Sequence, residues 1–160
     1  MNLIELLEDF QTQIECEGDI EIIDDDIAQL LTTVIIGGQT FSLFIETNQE
    51  KQRIVINLFP DFVVQTGKLI DAIMLFNYLN YTYNYRGRVA LRETSNASIC
   101  YKTTLDVNDI ENLSVILLAR VLADGIKFFE RFSGIISDIA FTPKTFEAIQ
   151  RDIETKGICG

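Results

Sequence analysis

The pair Gly37-Gly38 stands between two runs of residues that favour β-structure. The β-branched run 30–36 precedes the glycines. The run that follows alternates Phe41, Leu43 and Ile45 with Ser42, Phe44 and Glu46. Two consecutive glycines readily adopt the positive φ values of a two-residue hairpin turn. The pattern therefore predicts an antiparallel hairpin.

Further strands follow on both sides of a helical segment. A turn at 47–50 leads to a predicted third strand, 53–59, in which Ile54, Ile56 and Leu58 share one face because side chains alternate along a strand. Later in the chain, strands are predicted at 87–93 and 99–105, with a turn at 94–97 between them. An antiparallel sheet results.

Four helices are predicted from spacing and capping signals. The first has the stripe Leu3, Leu7, Phe10 and Ile14, with Gly18 as its end.

The second helix runs from Thr66, as N-cap, to about 79, and the third is capped by Asn108 or Asp109. Pro143 is expected at the first position of a short C-terminal helix. The fold class is α+β, in the order α-β-β-β-α-β-β-α plus that final helix.

The charges are unevenly distributed along the chain. The first fifty residues contain twelve Asp and Glu and no Lys or Arg, since Lys51 is the first base, and the net charge is -11. Such a surface repels nucleic acid and anionic lipid and favours basic partners. The residues predicted to steer a partner electrostatically are Asp19, Glu21, Asp24, Asp25 and Asp26.

The chain contains no histidine, which excludes Ser-His-Asp and Cys-His catalytic arrangements and His-containing metal sites. The three cysteines, Cys16, Cys100 and Cys159, form no CxxC pair and are predicted to be free thiols in a reducing compartment. The N-terminus lacks the basic region of a signal peptide. We therefore expect a cytoplasmic protein with no catalytic residues, no metal and no cofactor.

The segments 75–80, 87–91 and 99–105, together with Phe128-Phe129 in a long helix, resemble the YbjN-type domains of the type III secretion chaperone-like fold. The resemblance covers roughly residues 5–139, so 1–141 is expected to form one such domain and 142–160 a C-terminal helical extension. It implies frequent dimers and a role in binding or regulation without catalysis. It implies no active site.

Seven apolar residues are predicted to contact a partner, and they lie on the second strand of the hairpin and around the end of the second helix. They are Phe41, Leu43, Phe44, Tyr78, Tyr81, Tyr83 and Tyr85. The strand residues face either a partner or the core. Tyr81, Tyr83 and Tyr85, which alternate on an extended segment, form either an interface or a rim of the core.

Arg86, Arg88 and Arg92 are expected on one strand face beside these tyrosines. Arginines beside aromatic rings can stack single-stranded nucleic acid. The net charge favours instead their pairing with acids of this or a neighbouring subunit.

Three functions remain open. The first is a non-enzymatic, chaperone-like or regulatory adaptor that holds a basic or amphipathic segment of another protein, as a homodimer, with no nucleic acid or membrane partner. The second is a small-ligand-binding protein or a minor enzyme that uses a buried carboxylate. The third is a dimer that acts only as a structural subunit.

Overall fold

The computed structural model describes residues 1–93 and 97–157, with the Glu93 side chain left out, and has one six-stranded antiparallel sheet with four α-helices. The elements are α1 (Leu3–Gln13), β1 (Asp19–Ile22), β2 (Ile27–Ile36), β3 (Gln39–Asn48), β4 (Arg53–Pro60), α2 (Leu69–Thr82), β5 (Arg88–Glu93), β6 (Ser98–Asp106), a 3-10 turn (Val107–Asp109), α3 (Val115–Phe141) and α4 (Phe146–Lys156). The predicted α+β class is confirmed, and the acidic strand β1 is an addition to the predicted meander.

The sheet has the strand order β1-β2-β3-β4-β6-β5, so β1 and β5 are its edges. Gly37 and Gly38 have φ values of 58° and 81°, and they join β2 to β3 as predicted. Gly18 was wrongly predicted to end α1, which stops at Gln13. A Cβ atom at Gly18 would lie 2.4 Å from the carbonyl oxygen of Leu31, so this glycine is needed for close packing against β2.

One face of the sheet, the inner face, is covered by the helices and carries the core. Phe41 is in ring contact with Phe129 at 4.7 Å between centroids, and Tyr101 stacks on Phe128 at the same distance. A Cβ atom on Gly125 of α3 would lie 2.7 Å from Leu58 Cδ1, so α3 approaches β4 at a position where only glycine fits without a shift. The opposite face, the outer face, has no element packed on it among the described residues.

The starts of the later helices differ from the prediction. Asp106 accepts a hydrogen bond from the Asn108 N–H and closes the 3-10 turn, so α3 begins only after Ser114, whose hydroxyl accepts the Leu117 N–H at 3.3 Å. α2 begins after Gly67, which has a φ of 91° and is not helical. In α4 the cap is Thr145, not a residue before Pro143, because its hydroxyl accepts the Ala148 N–H at 3.2 Å.

The C-terminal helix α4 packs against α2 and α3. It buries Phe146, Ile149 and Ile153, and the Phe146 N–H donates to Asp71 Oδ1 of α2 at 2.9 Å. Residues 142–157 are thus joined to the common core. The division into a domain 1–141 and an extension 142–160 stays a prediction.

Candidate partner-binding surfaces

Helix α2 is apolar on two sides, and only one of them is covered. Ala72, Leu75, Phe76 and Leu79 are buried in the core. The uncovered residues follow a helical stripe with spacings of three or four residues, which we name the α2 stripe: Ile70, Ile73, Met74, Asn77 and Tyr81, all apolar or aromatic except Asn77. A row of exposed apolar side chains at this spacing is typical of a helix that packs against another element.

The α2 stripe is strongly exposed at both ends. Ile70 is 74% exposed and Tyr81 is 93% exposed. Ile73 and Met74 lie between them, and Ile73 lines a cleft of about 350 Å³ between α2 and β5. The apolar stripe and the cleft together form one continuous surface.

The free edge of β5, beside this cleft, is protected by a side chain. The Asn80 amide donates to the Val89 carbonyl at 2.8 Å and accepts from the Val89 N–H at 3.0 Å. The Leu91/Glu93 irregularity further interrupts the strand. Paired backbone groups and a bulge both oppose the addition of another strand, so a partner meets side chains here and not an open ladder.

The other edge, β1, is short and acidic. It has four residues, and Asp19 and Glu21 point away from the core. Short, charged edge strands are a common protection against strand addition.

The structure separates the three predicted contact residues of the hairpin. Phe41 and Leu43 are 1% and 0% exposed, because their positions in the two-residue alternation face the helices. The prediction that they contact a partner is corrected here, since buried side chains offer no surface. Phe44 lies on the outer face, half-buried.

The four tyrosines that were predicted to contact a partner also lie in different environments. Tyr81 belongs to α2 and to its exposed stripe, because the helix continues to Thr82. Tyr78 meets Phe146 of α4 edge-on, with 6.0 Å between centroids. Tyr83 and Tyr85 contact Phe132 at 4.9 Å and 5.8 Å, so they form the rim of the core, the second of the two predicted alternatives.

The acidic residues lie at the β1 end of the sheet. Asp19 and Glu21 are exposed on β1, and Asp24, Asp25 and Asp26 form the turn to β2. Asp24 has a local role, since its Oδ1 accepts the N–H groups of Asp26 at 2.8 Å and Ile27 at 2.9 Å. Electrostatic steering by these five carboxylates stays a prediction.

The cations lie at the other end of the outer face, around a groove of about 710 Å³. Arg86, Arg88, Arg92 and Lys102 line it, above a floor that contains Phe44, Phe59 and Cys100. The three arginines, which were predicted to share one face of a strand, line the same groove. Arg86 pairs with Asp124 at 3.2 Å, which is the predicted pairing with an acid of the same subunit.

Among the described side chains, the other cations of the groove have no such partner. Arg92 lies over the Phe59 ring at 4.9 Å. Among the side chains that the structure describes, no carboxylate oxygen lies within 4.0 Å of a side-chain nitrogen of Arg88, Arg92 or Lys102.

Cys100 lies in the floor of the groove, and it is a weak nucleophile there. Burial raises the pKa of its thiol above the ordinary value, although the charges of Lys102 and Arg92 oppose this effect. Cys159 falls outside the described residues. Within 1–93 and 97–157, no three Cys, Asp or Glu side chains are grouped so that they could hold a metal ion.

The predicted alternative of a buried carboxylate finds no candidate in the part of the chain that the structure describes. The buried polar residues in this described part are Thr47, Asn48, Asn57 and Thr103, and none of them is acidic. In the same part of the chain, every helix is too short or too polar to cross a membrane.

The sequence prediction missed the α2 stripe because it assigned one broad apolar face to the second helix. A signal was present, since α2 is apolar almost all round. A helix with this pattern needs partners on more than one side. Among the described residues, only the core and α4 supply them.

Comparison with known proteins places the fold. No protein-family model matches the chain, and no curated protein matches it. Solved structures similar to it include a chain of the HopA1-SchA chaperone-effector complex, with 22% identity, a TM-score of 0.51, and coverage of 81% of this chain and 90% of that one. A chain of the ExsC-ExsE complex has 13% identity and a TM-score of 0.44, with coverage of 81% and 91%.

The chain has the type III secretion chaperone-like fold. The likeness to the HopA1-SchA structure, which covers most of both chains, carries this assignment.

Proposed function

We propose that this protein is a non-enzymatic, chaperone-like domain that binds an amphipathic segment of a partner protein along the α2 stripe. The proposal extends to a YbjN-type identity and to a functional unit of two copies, as the resemblance implies. It includes a cytoplasmic location, which the sequence predicts.

The observation that carries the proposal is the α2 stripe beside its cleft. Ile70, Ile73 and Met74 are three large apolar side chains on one side of one helix, all of them exposed. Burial of such a side chain by a partner contributes about 1.5–3 kcal/mol when it is complete. The stripe therefore offers enough apolar surface to hold a short segment with complementary apolar residues.

The mode of binding follows from the edges of the sheet. Asn80 occupies the backbone groups of Val89, so strand addition next to α2 would first have to displace its side chain. Packing of apolar side chains against α2 and into the cleft needs no such displacement. The HopA1-SchA structure joins a chaperone to an effector, and we carry protein binding, not the identity of the effector, into this proposal.

The test compares two isoleucines in equivalent positions. Ile70 is the second residue of α2 and is 74% exposed, and Ile116 is the second residue of α3 and is 63% exposed. We expect wild type and Ile116→Asp to capture the same stoichiometric protein from the native cytoplasm. Ile70→Asp should lose it, with at least a tenfold weaker Kd once that protein is purified, because a charge then faces the apolar segment.

Both variants should keep the wild-type unfolding midpoint, since an acidic residue in the first turn of a helix is favourable. Equal affinity of the two variants for the purified partner would remove the α2 stripe from the proposal. Capture of no protein by wild type would remove the chaperone-like function itself.

A further inference from the structure

The groove on the outer face has a buried amide in its floor, Asn57 of β4. This residue is only 9% exposed, and it lines the groove. Among the described residues, no hydrogen bond joins the Asn57 side chain to another group. Buried amides are usually hydrogen-bonded. The floor of the groove thus offers a polar group that a ligand can use.

Two cations follow this amide on the neighbouring strands. Lys102 of β6 is the direct register partner of Asn57, and Arg88 of β5 is the register partner of Lys102. Both cations are exposed. Like charges in directly opposed positions destabilise a sheet. A bound anion would remove this repulsion, so the pair is better explained by a ligand than by the stability of the fold.

The carboxylates around the groove are engaged in other contacts. Glu46 of β3 accepts a hydrogen bond from the Gln29 side chain at 2.7 Å, and Gln29 belongs to β2, on the side of β3 away from the groove. Asp106 of β6 accepts a backbone N–H in the 3-10 turn, and Asp124 pairs with Arg86. None of the described residues that line the groove is acidic. Its three remaining cations are therefore available to an external anion.

An apolar cleft continues the groove toward β2. It has a volume of about 390 Å³ and shares Phe44, Phe59 and Arg92 with the groove. Phe44 is the register partner of Asn57, and Leu31, which is 60% exposed, is the register partner of Phe44. An anionic group at Asn57 is thus one strand spacing, about 4.8 Å, from an apolar surface.

We propose that this groove binds a small organic phosphate, with its phosphate group at Asn57, Lys102 and Arg88 and its organic part on Phe44 and Leu31. No residue of the α2 stripe lines the groove. The site therefore goes beyond the binding of a partner segment and does not depend on it.

The chemistry and the size of the groove favour a phosphate ester. A phosphate monoester has a charge of about −1.5 to −2 at neutral pH and three strong acceptor oxygens. Arginine binds such a group through two parallel hydrogen bonds. A single carboxylate has less charge and fewer acceptors for the amide and the two cations. The groove volume of about 710 Å³ lies within the range of small-molecule sites.

A long polyanion is disfavoured by the opposite end of the same face. Asp19 of β1 is the register partner of Leu31, and Glu21 lies on the same side of that strand. The net charge of -11 acts in the same direction, since it repels polyanions such as nucleic acid. A small ligand contacts only the cationic end and the apolar cleft beside it.

The test measures the binding of three probes by isothermal titration calorimetry: adenosine diphosphate (ADP), inorganic phosphate and adenosine. ADP should bind about tenfold more tightly than either of the others, because it alone has both phosphate groups and an organic part. The variant Arg88→Gln with Lys102→Gln should bind ADP about tenfold more weakly, since charged hydrogen bonds are lost. The control Lys127→Gln with Arg151→Gln removes the same charge from exposed sites on α3 and α4, and it should bind ADP as wild type does.

A second variant tests the buried amide. Asn57→Leu has a side chain of similar size that makes no hydrogen bond, so ADP should bind about threefold to tenfold more weakly. The unfolding midpoint should not fall, because the amide that is lost has no partner among the described residues. A lower midpoint with unchanged ADP affinity would mean that Asn57 has a structural role, and would remove it from the site.

Other results would overturn the inference as a whole. Equal ADP affinity of wild type and of Arg88→Gln with Lys102→Gln would exclude the groove. Adenosine that binds as tightly as ADP would exclude a phosphate ligand, and no binding of any probe at millimolar concentration would exclude the site itself. A single-stranded oligonucleotide that binds more tightly than ADP, and is lost in the double variant, would assign the groove to nucleic acid. Loss by Lys102→Gln of the protein that wild type captures would assign it to an acidic segment of that protein.

Discussion

The two faces of the sheet consist of the same strands and have opposite properties. On the inner face, Phe41, Leu43 and Tyr101 are buried under the helices, and the rings of Phe41 and Tyr101 contact Phe129 of α3. On the outer face, their sequence neighbours include Phe44 and Lys102, which line an open groove. One residue of difference in position thus separates a residue that stabilises the fold from one available for recognition.

The largest expected effect is a difference in stability between the alanine variants of two phenylalanines, one on each side of the sheet. Phe128→Ala removes a ring that touches Tyr101, Phe129 and Phe132, and should lower the free energy of unfolding by about 3–5 kcal/mol. Phe59→Ala, on the outer face, should cost about 1 kcal/mol, including its contact with Arg92. Urea denaturation of both variants measures the difference, and equal losses would contradict the distinction between the faces.

This distinction was predictable in part. The alternation of Ile54, Ile56 and Leu58 correctly placed these residues on one face, and Gly37-Gly38 correctly marked the hairpin. The choice of face was not predictable for Phe41, Leu43 and Phe44, because all three are apolar. The packing of α1 and α3 against the sheet decides it.

The surfaces were harder to predict than the fold. Strand β1 was not predicted because Asp19 and Glu21 lower its β-propensity. It forms a strand through its pairing with β2. On the outer face, residues as distant in sequence as Phe44 and Lys102 line one groove, because the strand order places β4 between β3 and β6. Local patterns contain no information of that kind.

A smaller effect compares the two glycines of α3. Gly125→Val places methyl groups against Leu58 and the Tyr101 ring, and should destabilise the protein by about 2 kcal/mol. A Cβ atom at Gly134 would meet nothing within 4 Å among the described residues, so Gly134→Val should stabilise the helix by a few tenths of a kcal/mol. Thermal unfolding of the pair gives the signs. A stabilising Gly125→Val would mean that α3 does not pack closely on the inner face.

The smallest effect concerns the acidic turn at the β1 end, which should change rates of encounter and not stability. Asp25→Asn with Asp26→Asn removes the exposed charge of Asp25 and the half-buried charge of Asp26, and leaves Asp24 to close the turn. The free energy of unfolding should change by less than about 0.5 kcal/mol. If the segment that this protein binds is basic, the association of the captured partner with the double variant should be about twofold to fivefold slower than with wild type at low salt.

The matched control is Glu147→Gln with Glu154→Gln on α4, which changes the net charge by the same amount away from the sheet. Stopped-flow association of the purified partner should differ between the two double variants at low salt. The difference should vanish near 1 M salt, where the screening length falls to about 3 Å. Faster association of Asp25→Asn with Asp26→Asn would instead mean that the acidic end repels the partner, and that the segment it binds is itself acidic.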